Sequence, residues 1–96
     1  MHGEYKMPGG KLVVVDLAIS EGCLARVQVS GDFFLEPDDA LHAIDAALEG
    51  QDAAADEHML AAAIRAQLSP GVMMYGVSPE AIAVAVRRAI DQGTAA

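Results

Sequence analysis

The chain has 96 residues, a net charge of −8 and a hydrophobic fraction of 53%, which together suit one small acidic domain, residues 1–96. A single cysteine excludes an internal disulfide, and no apolar run approaches the ~20 residues that span a bilayer. We therefore expect a cytoplasmic protein that binds neither nucleic acid nor membrane, because an acidic surface repels phosphate groups.

The negative charge is concentrated after residue 31. Residues 1–31 contain three basic and three acidic side chains and are neutral, whereas residues 32–96 contain eleven acidic against three basic side chains, which gives −8. The neutral first third is therefore the better candidate for a docking surface or for contact with an anionic ligand.

The first third of the chain predicts an antiparallel β-hairpin. Residues 1–10 form a loop, since Met7-Pro8-Gly9-Gly10 is incompatible with a helix. Two strands with period-two alternation follow, joined by a turn at Ser20-Glu21-Gly22. The sequence shows no third strand, although residues 3–7 or 32–35 could pair with one edge. The inward positions are Val13, Val15, Leu17 and Ile19 in the first strand and Ala25, Val27 and Val29 in the second.

Three helices are predicted after the hairpin. They cover residues 37–50 with Asp38 and Asp39 in the first turn, residues 56–68, and residues 79–93 after a cap at Ser78, which leaves 93–96 as a frayed tail. The order of the elements, strands first and helices after, predicts an α+β domain in which about three helices pack on one face of a small antiparallel sheet. The expected buried stripes are Leu41, Ile44 and Leu48; Met59, Leu60, Ala63, Ile64 and Leu68; and Ile82, Ala85, Val86, Ala89 and Ile90.

The segment Gly31-Asp32-Phe33-Phe34 lies between the hairpin and the first helix and contains the only two phenylalanines. Glycine at a strand end predicts a bulge or a close backbone approach. Alternation places Phe33 on the buried face and Phe34 outward, either under a loop or as an anchor at a subunit interface. Asp32 suits a hydrogen bond to a nearby backbone N–H in the turn.

The segment Met7-Pro8-Gly9-Gly10-Lys11-Leu12 resembles a phosphate-binding loop only in part. A full phosphate loop needs an earlier glycine, a Ser or Thr after the lysine and a following helix, whereas a strand follows Lys11. Gly9 and Gly10 can still bring backbone N–H groups and a lysine towards a phosphate. The alternative, a turn that leads into the first strand, is favoured by local chemistry.

No catalytic or metal-binding constellation is predicted elsewhere. Cys23 at the hairpin tip has no neighbouring cation or base to activate it. The three histidines lack metal-like spacing, and the acidic pairs 38–39 and 56–57 suit helix starts. Residues 73–75, Met-Met-Tyr, form an apolar loop that we interpret as satellite core, or else as an adaptable contact for a partner.

Three segments together resemble the C-terminal accessory domain of lipoate–protein ligase, over residues 3–92. They are Glu4-Tyr5-Lys6 continuing through Pro8-Gly9-Gly10-Lys11-Leu12-Val13, then Ser30-Gly31-Asp32-Phe33-Phe34, and finally Gly76-Val77-Ser78-Pro79-Glu80-Ala81-Ile82. In some archaea and bacteria this domain is a separate small polypeptide. Because no ligase domain precedes Met1, the chain looks like that stand-alone subunit.

The resemblance implies a function without an active site of the chain's own. A large catalytic subunit would hold ATP, Mg²⁺ and lipoate, form lipoyl-adenylate, and transfer the lipoyl group to a lysine of an acceptor protein. The small subunit would bind no cofactor alone and would be needed chiefly for the adenylation step. Its fold would be similar to iron–sulfur scaffold and sulfur-acceptor proteins.

Within this resemblance we predict two groups of site residues. Lys6, Gly9, Gly10 and Lys11 would lie near the adenylate, and Gly31, Asp32, Phe33 and Phe34 would form the partner interface. Two other functions stay open at this point: a sulfur-acceptor or scaffold protein that uses Cys23, and an interaction domain for another acyl-transfer enzyme.

Overall fold

The computed structural model describes residues 1–94, and the side chains of residues 1–92. Its five strands and three helices confirm the predicted α+β class. The similarity to scaffold and sulfur-acceptor proteins stays a prediction. The elements are β1 His2–Lys6, β2 Leu12–Ser20, β3 Cys23–Gly31, β4 Phe34–Glu36, α1 Ala40–Leu48, α2 Glu57–Gln67, β5 Met73–Tyr75 and α3 Pro79–Thr94.

The main sheet has three antiparallel strands in the order β1-β2-β3. Its register aligns Gly3 with Val15 and Val15 with Val29. The loop predicted for residues 1–10 is wrong over residues 2–6, which form β1. β1 lies close to residues 3–7, the first of the two segments named as a possible edge strand. The second possibility, residues 32–35, instead contributes β4 to a separate two-stranded sheet with β5.

The inward face of the hairpin follows the predicted alternation except near its tip. Val13, Val15 and Val29 are buried as expected. The prediction that Ala25 points inward is wrong, because Leu24 is 2% exposed and fills that position. The register between β2 and β3 shifts after Asp16, where an extra residue of β3 forms a bulge. One extra residue moves every later side chain to the opposite face.

The first two helices differ from prediction in their starts or their faces. α1 begins at Ala40, and the two aspartates before it form a turn in which the Ala40 N–H donates to the Pro37 carbonyl at 3.0 Å. The acidic residues therefore precede the first helical turn, and Leu41 is only half-buried. In α2 the stripe is also rotated, since Met59 is 58% exposed while Ala61 is buried.

Helix α3 forms the centre of the core. All the residues of its predicted stripe are buried, and the N–H of Ala81 donates to Ser78 Oγ at 3.1 Å, which confirms the predicted cap. The helix extends to Thr94, one residue beyond the predicted stop at Gly93. The frayed tail stays a prediction, and residues 95 and 96 lie outside the described residues.

A glycine in β1 sets the distance between α3 and the sheet. A Cβ atom placed on Gly3 would lie 2.3 Å from the Ala89 nitrogen and 2.4 Å from the Ala85 carbonyl oxygen. Both neighbours are backbone atoms of α3, so they cannot be displaced by changing a rotamer. The helix backbone therefore lies directly on β1, a contact that period-two and helical patterns do not reveal.

The outer edge of β3 is covered by carboxylates from the end of α1. Glu49 accepts hydrogen bonds from the N–H groups of Arg26 at 2.7 Å and Val27 at 3.0 Å, and Asp45 Oδ1 accepts from Val29 N–H at 3.0 Å. Acidic residues are unfavourable at a helix C-terminus. Asp45 and Glu49 are nevertheless favourable here, because they accept hydrogen bonds from strand N–H groups that would otherwise lack a partner, including those of the bulge.

The contribution of Asp45 to the stability of the fold depends on pH. Burial raises the pKa of this carboxyl group, although the hydrogen bond from Val29 N–H acts in the opposite direction. A carboxyl whose folded-state pKa is raised favours folding in its protonated form. That contribution is complete below the unfolded-state pKa and is lost as the pH rises through the folded-state pKa.

Replacing Glu49 with alanine is expected to lower the free energy of unfolding by about 2 kcal/mol, because two strand N–H groups lose a charged acceptor. Denaturant unfolding monitored by circular dichroism measures this change. The control Glu49→Gln keeps one acceptor oxygen and should lose about half as much. Equal stability of Glu49→Ala and the wild type would show that the carboxylate does not support the bulge.

Candidate functional site

Three segments that are distant in the sequence meet at one end of the molecule. They are residues 6–11, 31–36 and 73–76, which we call the convergent end. The Asp32 N–H donates at 3.2 Å to the carbonyl of Leu12, the residue that follows the first segment, which brings the first two segments together. The third is joined to the first by Lys11, since a Cβ atom on Gly76 would lie 2.5 Å from Lys11 Cγ.

Residues 6–11 form the predicted turn that leads into a strand. The Gly10 N–H donates to the Met7 carbonyl at 2.9 Å, and the Met7 N–H donates to the Lys11 carbonyl at 3.3 Å. Lys6 is the last residue of β1, and both Lys6 and Lys11 are exposed. The turn therefore begins and ends with an exposed lysine at the convergent end.

Gly31 confirms the close approach that was predicted for it. A Cβ atom at this position would lie 2.1 Å from the Leu12 carbonyl oxygen and 2.9 Å from Phe33 Cε2. Phe33 packs against the core over this glycine and is half-buried. Asp32 contributes its backbone N–H to the contact with Leu12, while its side chain is exposed.

Phe34 lies on the outside of the molecule, as the alternation predicted, with 62% of its surface exposed. It belongs to β4, which pairs with β5 so that Phe34 is opposite Tyr75. The loop predicted at residues 73–75 is therefore wrong, because these residues form a strand. Three residues are too few to show a period, and the partner strand lies far away in the sequence.

The two-stranded sheet has a buried apolar face and an exposed face that is apolar except for Glu36. Leu35 is 4% exposed and points with Met74 towards the core. The opposite face contains Phe34 together with Met73 and Tyr75, which are 53% and 40% exposed. We call these three residues the docking ribbon. The rings of Phe34 and Tyr75 lie 5.2 Å apart, so the two aromatic side chains support each other in solvent.

A shallow cleft adjoins the docking ribbon. Its volume is about 200 Å³, which is below the 300–1,000 Å³ typical of small-molecule sites. A cleft of this size fits a single side chain better than a cofactor. Its lining residues are Phe33, Phe34, Leu35, Asp38 and Leu41.

Cys23 is not part of the convergent end. It is exposed at the hairpin tip, where its backbone forms a bridge with Asp52. The hairpin tip and the convergent end lie at opposite ends of β2, which has nine residues. At about 3.4 Å per residue, roughly 27 Å separates them. The structure therefore does not bring the thiol together with the other predicted site residues.

His2 is held by two carboxylates on the outer face of the sheet. Its Nε2 lies 2.6 Å from Glu4 Oε2 and its Nδ1 lies 2.7 Å from Asp16 Oδ1. These hydrogen bonds, that of Glu4 first, raise the pKa of His2. The protonated form therefore favours folding below the unfolded-state pKa, and this effect is lost as the pH rises through the folded-state pKa.

Residues 1–94 contain no group of three or more His, Cys, Asp or Glu side chains arranged to hold a metal ion. No helix in the same range is long and apolar enough to cross a membrane.

The described residues thus define a small α+β domain with an exposed apolar ribbon beside two lysines. The chain is similar to a chain in a solved structure of an archaeal lipoylation system, a bipartite lipoate protein ligase and its E2 lipoyl domain from Thermoplasma acidophilum. The match has a TM-score of 0.68 and 28% identity, and it covers 91% of this chain and 98% of that chain. This match confirms the resemblance drawn from the three sequence segments. No family model matches the chain, and no curated protein matches it.

Proposed function

We propose that this chain is the accessory subunit of a two-chain lipoate–protein ligase, required with a large catalytic subunit to activate lipoate to lipoyl-adenylate. The observation that carries the proposal is the structural match to the bipartite system, which covers 98% of the matched chain. The large subunit would hold ATP, Mg²⁺ and lipoate and would transfer the lipoyl group to acceptor proteins. This chain would contribute binding and positioning.

The geometry supports this function because the segments that carry the resemblance are adjacent in space. The lysine-containing turn, the Gly31 segment and Gly76 are separated in the sequence, yet all three contribute to the convergent end. A shared end is expected if these residues act together on one partner. It would be coincidental if each only stabilised its own turn.

The two lysines give the convergent end a role in adenylation. Activation of a carboxylate by ATP develops negative charge on the phosphates, and a cation placed beside them stabilises the transition state. Lys11 is the better placed, since its stem lies against Gly76 and the residue is exposed. Lys6, Gly9 and Gly10 would support the same turn.

Reconstitution tests the proposal. Pyrophosphate release is measured with lipoate, ATP and Mg²⁺ in the presence of the ligase large chain encoded in the same genome, this chain, or both. We expect release only when both chains are present. Release by the large chain alone at the full rate would contradict the proposal, as would turnover by this chain alone. Full activity of Cys23→Ser in the same assay would remove the sulfur-acceptor alternative.

A further inference from the structure

We infer that the docking ribbon, rather than the Phe33–Phe34 segment alone, is the surface that binds the catalytic chain. This inference rests on the proposed function. It assigns Met73 and Tyr75 to the interface and places Phe33 mainly in the core.

The packing of the core does not explain why the three side chains of the docking ribbon are large and apolar. Their exposed fractions of 62%, 53% and 40% show that they contribute little to the core. Leu35 on the opposite face attaches the sheet to the domain. Large side chains held outward in a group characterise a protein-binding surface, and aromatic residues are enriched among those that dominate binding energy.

The sheet that carries the docking ribbon is also incomplete by itself. β4 and β5 have three residues each and pair only with one another among the described strands. A two-stranded sheet is marginally stable in isolation, and only Leu35 of the six residues of this sheet is fully buried against the domain. A partner that covers the outer face would remove three large apolar side chains from water and order both strands.

The rim of the docking ribbon indicates the chemistry of the partner. Glu36 lies opposite Met73 on the same face, and Asp38 lines the adjoining cleft. Lys11 approaches the other side through its contact with Gly76. The complementary surface would have an apolar centre with one side chain that enters the cleft, and basic residues facing the two carboxylates.

The test is a binding titration of the ligase large chain with variants of this chain. The double variant M73A/Y75A should bind about 30-fold more weakly or worse, as expected when residues at the centre of an interface are truncated. Phe34→Ala should weaken binding by a similar factor. The control Met59→Ala removes a methionine that is 58% exposed on α2 and should bind as tightly as the wild type.

Two further measurements separate loss of binding from other effects. Circular dichroism and thermal unfolding should show that the double variant keeps the fold. The single variant Tyr75→Phe keeps the aromatic ring and should bind the large chain as tightly as the wild type does. Sedimentation of this chain alone should show a monomer. Wild-type binding by the double variant would overturn the inference, as would self-association that the double variant abolishes. In either case, pyrophosphate release that still requires both wild-type chains would leave the proposed function standing.

Discussion

Replacing Gly3 with alanine is expected to lower the free energy of unfolding by about 3 kcal/mol or more. The added methyl group would lie 2.3 Å from the Ala89 nitrogen and 2.4 Å from the Ala85 oxygen. Neither backbone atom can move without shifting α3, and all the buried residues of this helix would lose contacts together. Urea unfolding of the two proteins measures the difference.

A second glycine provides the matched control for Gly3→Ala. A Cβ atom on Gly71 would have no neighbour within 4 Å, and its φ lies outside the range that disfavours side chains. Gly71→Ala should therefore leave stability unchanged or raise it slightly, because alanine restricts the unfolded chain. If Gly3→Ala unfolded at the same urea concentration as Gly71→Ala, α3 would not pack on β1 at this distance.

Lys11→Met should slow lipoyl-adenylate formation by about 100-fold without weakening assembly. Methionine keeps an apolar stem against Gly76 but removes the ammonium group that we propose faces the phosphates. Loss of one group that stabilises transition-state charge costs on the order of 10²–10³ in rate. Single-turnover formation of the adenylate, measured at saturating concentrations of both chains, separates this effect from binding.

Two further variants identify the cause of any decrease in the rate of adenylate formation. Lys11→Arg keeps the positive charge and should retain most of the rate. Gly76→Ala places a methyl group 2.5 Å from Lys11 Cγ, at a φ of +80° that favours glycine. It should therefore displace the lysine and reduce the rate as Lys11→Met does. Wild-type rates for Lys11→Met would show that the lysine only supports the turn.

The sequence predicts best those parts of the fold that repeat. Alternation in the hairpin and the stripe of α3 identify most of the core, because burial requires the same periodicity over many residues. Alternation also predicts correctly that Phe33 faces the core and Phe34 faces solvent. It fails at Ala25, where one bulged residue changes the face, and at the face of α2 that contains Met59. Single irregularities of this kind leave no periodic pattern.

The candidate site is harder to predict because its contacts are not local. Nothing in residues 73–75 indicates that they pair with β4, so the sequence shows an apolar loop where the structure forms the docking ribbon. The residues next to Gly3 and Gly76 in the sequence do not show why glycine is needed there. The reason is the closeness of the α3 backbone to Gly3 and of the Lys11 side chain to Gly76. The resemblance identified the segments, whereas only the fold shows that they meet.

Hydrogen exchange of this chain, with and without the catalytic chain, tests most directly whether the convergent end is where the partner binds. We predict that backbone amides in residues 31–36 and 73–76 become strongly protected in the complex, while amides around Cys23 exchange at unchanged rates. Protection confined to the hairpin tip, or no change in residues 73–76 when the complex is fully formed, would contradict the account.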